Sequence, residues 1–186
     1  MAQNTPEPDA PPRPAAEYDP KAWKEYSSRQ GRFSILFPGR PSEEDTSFDT
    51  AAGRLEARQY KLATSAYYIV DYTDFPLILE QEPGKLNQTF NSIRDGAVAN
   101  AQGKVLSESD LRLEGHPGRE LKIAIPDGGI IRVRMYAVGQ RIYQSAVTTP
   151  KELKAPDGGQ FDEARAFKFL DSFKLISTEE GAKTRP

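Results

Sequence analysis

Cysteine is absent from the 186 residues. Disulfides, thiolate nucleophiles, sulfur-ligated zinc and iron–sulfur clusters are therefore excluded together. Histidine occurs once, at His116, so no second imidazole or thiolate is present to share a metal ion. No apolar run approaches the length needed to cross a bilayer. Charge of one sign is also lacking: 25 lysines and arginines face 27 aspartates and glutamates, a formal net charge of −2. Such a balance provides no overall basic excess for nucleic acid or anionic lipid. The phosphate-binding glycine loop with lysine, the GxSxG elbow and the HExxH helix are missing as well. No stretch joins a nucleophile, a base and an orienting group, so these residues by themselves assign no reaction, and no cofactor is expected.

What is present begins with "MAQNTPEPDAPPRPAAEYDP", rich in proline, alanine and glutamate. This stretch has too little apolar surface to offset the entropy of ordering. Residues 1–20 are thus expected to be a disordered tether, 21–177 a single domain, and 178–186 a flexible charged tail. The start resembles a mature exported N-terminus with an added methionine, which points to an extracytoplasmic protein; a cytoplasmic chain with a loose leader is the alternative.

Order is expected from Trp23 and Tyr26 onward. Phe33, Ile35 and Phe37 alternate as in a half-buried strand that Pro38 and Pro41 stop. Three strands should follow, separated by turns at 51–53 and 63–65. The period then changes: Leu86, Phe90, Ile93, Ala97 and Ala101 form one stripe of a helix lying on the sheet. Asn87 to Thr89 form a glycosylation sequon, discounted because it falls in this helix.

From 103 to 149 alternation returns. Leu121, Ile123 and Ile125 share a face with Ile131, Val133 and Met135 only across an odd loop, so Asp127 to Gly129 are expected to form a three-residue hairpin setting 125 opposite 131. A two-residue turn at Gly139 and Gln140 should set Tyr136 opposite Tyr143. Ala166, Phe169, Leu170 and Phe173 predict a closing helix. "GHPG" suits a type II turn with His116 first, Pro117 second and Gly118 third, which makes His116 a solvated turn residue.

Strand parity then produces the candidate site. With Ile123, Val133 and Met135 facing the core, Lys122, Arg132, Arg134, Tyr136, Tyr143 and Ser145 share the other face. Lys122 is expected opposite Arg134, with Glu120 one diagonal step away to relieve the like charges. This set reads either as a salt-bridged face partly covered by the closing helix or as an arginine and tyrosine contact surface for an anionic ligand or a protein. Carboxylates at Asp71 and Asp74, or at Glu43, Glu44 and Asp45, do not follow a calcium loop, and no metal site is expected. Enzyme activity would require a cleft bringing Asp71, Asp74 or Asp95 to His116.

"GRFSILFPGRP", "IRDGAVANAQGKVLSE", "LEGHPGREL", "RMYAVGQRIYQSAVT" and "FLDSFKLI" resemble phrases of bacterial relatives of the PsbP and Mog superfamily. The likeness spans about residues 23 to 176. It implies an α+β fold, an α/β/α sandwich with a central antiparallel sheet, and binding rather than catalysis. The function expected is a binding or assembly module contacting a larger protein complex, with Glu120, Lys122, Arg132, Arg134, Tyr136 and Tyr143 as contact candidates. A carrier of a small anionic or apolar ligand is the alternative, and a monomer with a protein partner and no nucleic acid is expected.

Overall fold

Phe33, Ile35 and Phe37, spaced for one strand face, have no exposed surface in the computed structural model. The structure describes residues 23–50, 53–149 and 163–176. The expected tether and tail lie outside these residues. Lys24–Ser28 (β1) and Phe33–Phe37 (β2) pair antiparallel, and Lys174–Leu175 (β10) adds to the other side of β2. Pro38 follows β2 directly, as its missing N–H requires at the end of a strand.

The remaining strands form one seven-stranded sheet. They are Ser42–Thr50 (β3), Gly53–Ala63 (β4), Tyr67–Asp74 (β5), Lys104–Leu113 (β6), His116–Ala124 (β7), Ile130–Val138 (β8) and Arg141–Thr149 (β9), in the spatial order β3-β4-β5-β9-β8-β7-β6. Every neighbouring pair is antiparallel. After a 3-10 turn at Leu79–Gln81, Pro83–Ala101 forms α1, with Pro83 in its first turn where the lost N–H costs nothing. α1 ends at Gln102 in the left-handed region, φ 49°, where Gly103 N–H returns to the Val98 carbonyl. Glu163–Leu170 forms α2.

Two hydrophobic clusters lie on opposite sides of the sheet. Leu86 and Phe90 of α1 pack on Leu121, Ile123, Val133 and Met135. On the other side, β2 and α2 enclose Tyr68, Tyr136 and Tyr143 with Phe33, Phe37, Phe169 and Phe173. Phe173 stacks on Phe33 at 5.5 Å and on Tyr136 at 5.7 Å, both with rings 17° apart. Each such contact adds about 1 kcal/mol beyond area burial. Phe173 belongs to the segment between α2 and β10 rather than to the helix expected to carry it. Its apolar character matches the helical stripe, but the ring is placed by aromatic stacking instead.

Two turns differ from expectation. The β7–β8 loop is Pro126, Asp127 and Gly128: Gly128 N–H bonds the Ile125 carbonyl, and Ile125 N–H bonds that of Gly129. Gly128, at φ 84°, takes the left-handed position, while Asp127 Oδ1 accepts the Gly129 N–H. Ile123 therefore faces Ile131. A displacement of two residues preserves which side chains share a face. The second difference is at "GHPG". Glu114 and Gly115, at φ 52° and 92°, make the two-residue turn, and His116, Pro117 and Gly118 continue as strand opposite Leu113, Arg112 and Leu111. Consecutive positive φ angles match the twist of the flanking strands, which a type II turn would splay.

Gly118 has a separate reason to lack a side chain. A Cβ there would lie 2.6 Å from the Met135 carbonyl oxygen and 2.6 Å from Cδ1 of Tyr136. Gly118→Ala is expected to destabilise by about 1 to 3 kcal/mol, read as a lower urea midpoint at unchanged slope. An unshifted midpoint would mean that the strand yields freely.

Candidate functional site

Parity places Lys122, Arg132, Arg134, Tyr136, Tyr143 and Ser145 on one face, as alternation requires. That face is not a solvent face, because α2 and the small sheet cover much of it. Tyr143 is 1% exposed and donates to the Gly31 carbonyl at 2.7 Å, so it belongs to the core and not to a surface. Ser145 is equally buried. The displaced hairpin puts Glu120, not Lys122, opposite Arg134, and sets Lys122 opposite Arg132.

Like charges opposite one another require relief, and the closing helix supplies it. Glu163, at the start of α2, bridges Arg132 and Lys122, the latter at 3.4 Å. Phe167, one turn further on, lies over Arg132 at 4.8 Å and Arg134 at 5.8 Å. Arg134 is held from both sides: Nε donates to Glu120 at 2.6 Å and Nη1 to Asp171 at 2.6 Å. Burial works to lower its pKa, but these two bonds outweigh it and hold the guanidinium charged. The Glu163 carboxyl is pulled down by its bond from Arg132.

Beside this clamp the sheet is left partly open. A cavity of about 350 Å³ separates the end of α2 from β6, β7 and β8. Leu111, Leu113, Tyr136, Leu170 and Phe173 give it apolar walls; Ser109, Arg112, Glu120, Arg134 and Asp171 give it polar ones. Burial raises the Tyr136 phenol, which stays neutral and available as a donor. The structure thus brings Glu120, Arg134 and Tyr136 to one groove, while Lys122 and Arg132 are engaged by Glu163 outside it. The contributions of Ser109, Leu111 and Leu113 were missed. Their signal was present as alternation in "SDLRL", but the face they join is set by pairing with β7 across the turn at Glu114 and Gly115.

The other ionisable candidates have separate partners. His116 is half-buried, and its Nδ1 lies 2.6 Å from Glu80 Oε1; Glu80 Oε2 accepts the Gly139 N–H at 2.7 Å. Glu80 so ties the 3-10 turn to two hairpins, a contact that a solvated turn histidine would not make. Asp74 pairs with Arg141, and Asp95 with Arg94. Asp71 accepts from Gln144 Nε2 at 3.0 Å, and desolvation pushes its pKa up to about 7. His116 is thus paired with Glu80 and with none of Asp71, Asp74 or Asp95. Glu43 and Asp45 reach Arg58, and Glu44 reaches Lys61. Among the described residues, no three side chains of metal-ligating type converge.

No family model and no curated protein matches the chain. Among solved structures, cyanobacterial PsbP from Synechocystis sp. PCC 6803 aligns over 83% of this chain and 93% of its own, at 11% identity and a TM-score of 0.54. The fold is PsbP-like. Two further structures are similar at lower scores: a Pseudomonas aeruginosa protein of unknown function and putative regulator (13% identity, 69% and 83% covered, TM-score 0.35), and a Bacteroides thetaiotaomicron protein (14% identity, 85% and 50% covered, TM-score 0.37). At such identities the PsbP-like likeness concerns architecture, and function has to be argued from the site. No helix among the described residues is long and apolar enough to cross a membrane.

Proposed function

We propose that the chain is a non-enzymatic binding module that contacts a larger protein complex through the groove at the end of α2. Its two helices on opposite sides of the sheet are read as the α/β/α sandwich of the PsbP and Mog superfamily. One observation carries the functional reading: an apolar floor remains open beside a fully formed Glu120–Arg134–Asp171 clamp. Such a site receives a large apolar side chain while fixed charges orient its polar neighbours, the division of labour found at interaction hot spots. The arginine is pre-organised by its two carboxylates and loses little further freedom on binding.

Ser109 stands exposed at the mouth of this groove. Ser109→Trp is expected to fill it while leaving the melting temperature within about 2 °C of the parent, since surface changes move stability little. Partners retained by the immobilised wild-type chain from its native extract should be lost by this variant. Unchanged retention overturns the reading. The cavity volume also lies within the range of small-ligand sites, and this favours the carrier as a second reading. A ligand whose thermal shift disappears in Ser109→Trp, with partner retention unaltered, would establish it. The exported location is part of the proposal, tested by the activity of an alkaline phosphatase fusion to the native gene.

A further inference from the structure

β6 is an edge strand of the seven-stranded sheet, and its outer side has no strand partner among the described residues. Edge strands present alternate N–H and C=O groups outward and invite pairing unless they are blocked. The bulge between Val105 and Ser107 disrupts the first part of β6 and exposes Leu106. Residues 107–113 pair regularly with β7 beyond it, so an added strand could find a regular edge only there.

The same stretch is flanked by cavities on both faces. On the α2 side lies the groove of about 350 Å³ already described, entered past Ser109 and Leu111. On the α1 side a second cavity of about 300 Å³ is lined by Leu86, Phe90 and Pro117, with Asn87, Asp110 and Arg112 as its polar groups. Successive side chains of a strand point to opposite faces. A strand laid beside 109–113 would therefore direct consecutive side chains to the two cavities in turn.

We propose that an extended segment of a partner protein binds by adding to the sheet beside β6, with large apolar residues directed to the α2-side groove and lysine or arginine to the α1 side. The assignment deepens the binding-module reading and rests on it. Asp110 and Arg112 are the charged groups lining that cavity; Arg112 turns to the Gly115 carbonyl at 2.8 Å, which leaves Asp110 as the carboxylate to be met by a cation. Asp110, on the α1 side, is 93% exposed, and its nearest cation is 3.9 Å away on Arg119, which is engaged more closely by Glu108. A lysine stem fits the apolar wall formed by Leu86 and Phe90 while its ammonium meets this carboxylate. A second copy of the chain fits less well. Two-fold antiparallel pairing centred on Glu108, Ser109 or Asp110 opposes acid to acid, and pairing centred on Leu111 overlaps only residues 109–113.

The test uses the full chain and a fluorescent capped peptide in which lysine alternates with phenylalanine or valine. Saturable binding is expected, with slowed hydrogen exchange at the amides of 107–113. Methylating alternate peptide nitrogens should weaken binding about tenfold or more by removing backbone bonds. Asp110→Lys should weaken it several-fold through like-charge opposition. Equal affinity of the methylated peptide, or unaltered exchange at saturation, overturns strand addition. So does a concentration-dependent dimer protected at the same amides, which would make the occupant a second copy. Absence of peptide binding while Ser109→Trp still releases native partners removes strand addition and leaves the groove reading standing. Absence of both effects overturns both.

Discussion

Arg141→Ala is expected to cost about 3 to 5 kcal/mol of folding stability, the range for breaking a buried charged network. Arg141 is 8% exposed. Its Nε and Nη2 grip both oxygens of Asp74 at 2.6 Å, and Nη1 donates to the carbonyls of Gln30 and Gly31 at 3.0 Å. The guanidinium also lies 4.1 Å from the centroid of the Tyr72 ring. Removal takes a donor from two carbonyls in the turn joining β1 to β2; that of Gly31 keeps the Tyr143 hydroxyl at 2.7 Å, whereas that of Gln30 loses its side-chain donor, at about 1 to 3 kcal/mol if it stays dry. It also deletes a cation–π contact worth about 1 kcal/mol. For a chain of this size the loss amounts to roughly 10 °C in melting temperature. Arg141→Lys should recover only part of it, because an ammonium cannot hold Asp74 in two bonds and two carbonyls as well. Asp74→Asn should cost less than Arg141→Ala, since the Asp74 side chain is 57% exposed and water replaces its partner. Calorimetry on the three variants checks the ranking; an Arg141→Ala loss below about 1 kcal/mol would show that the turn docks without it.

Asp71→Asn is expected to stabilise the protein in alkali and to do little in acid. Asp71 is 8% exposed on β5, and desolvation raises its pKa from 3.8 to about 7, against the pull of the Gln144 hydrogen bond and the Lys61 charge. Between about pH 4 and 7 the folded chain therefore keeps a proton that the unfolded chain has released. Stability from this group is fully present below the unfolded pKa and is lost as pH rises through 7. Raising this pKa from 3.8 to about 7 corresponds to at most about 4 kcal/mol. The amide that replaces the carboxyl would still accept from Gln144 but could not ionise. The stability difference between variant and wild type should open between about pH 4 and 7 and stay constant above that. Asp74 and Glu163, whose pKa values are lowered, pull the absolute curves the other way and cancel in this difference. Parallel denaturation curves across that interval would show Asp71 to be solvated in the folded chain.

Both residues illustrate how far a linear reading reaches. The alternation of Tyr68, Val70 and Tyr72, and of Tyr143 and Val147, makes strands recognisable because period two is a local property of the backbone. By the same parity Asp71 lies on the other face from Tyr72, opposite Gln144. Nothing local states whether such an aspartate is covered. Likewise Arg141 follows a predictable two-residue turn, yet its carbonyl partner Gly31 lies 110 positions away. Its role depends on where the β1–β2 turn docks.

The candidate site divides in the same way. Glu120, Arg134 and Tyr136 were identifiable as sharing a face, and they do line the groove. Tyr143 shares that face but lies under Phe33 and Phe173, at 6.2 and 5.4 Å. A tyrosine at a contact surface and a tyrosine in a core have the same strand signature. His116 misled for a different reason: the turn preference of Pro-Gly was overruled by Glu114 and Gly115, whose positive φ angles fit a two-residue hairpin better.

By itself the amino-acid sequence determined the antiparallel strands, the α1 stripe and the division of side chains between two faces, since each follows from a repeat only a few residues long. Only the tertiary structure decided what lies over each face: α2 and β2 over the arginines and tyrosines, α1 over Leu121 and Ile123, and an open groove between α2 and β6. Those contacts join segments far apart along the chain, where the energy of packing, rather than local backbone preference, selects the neighbour.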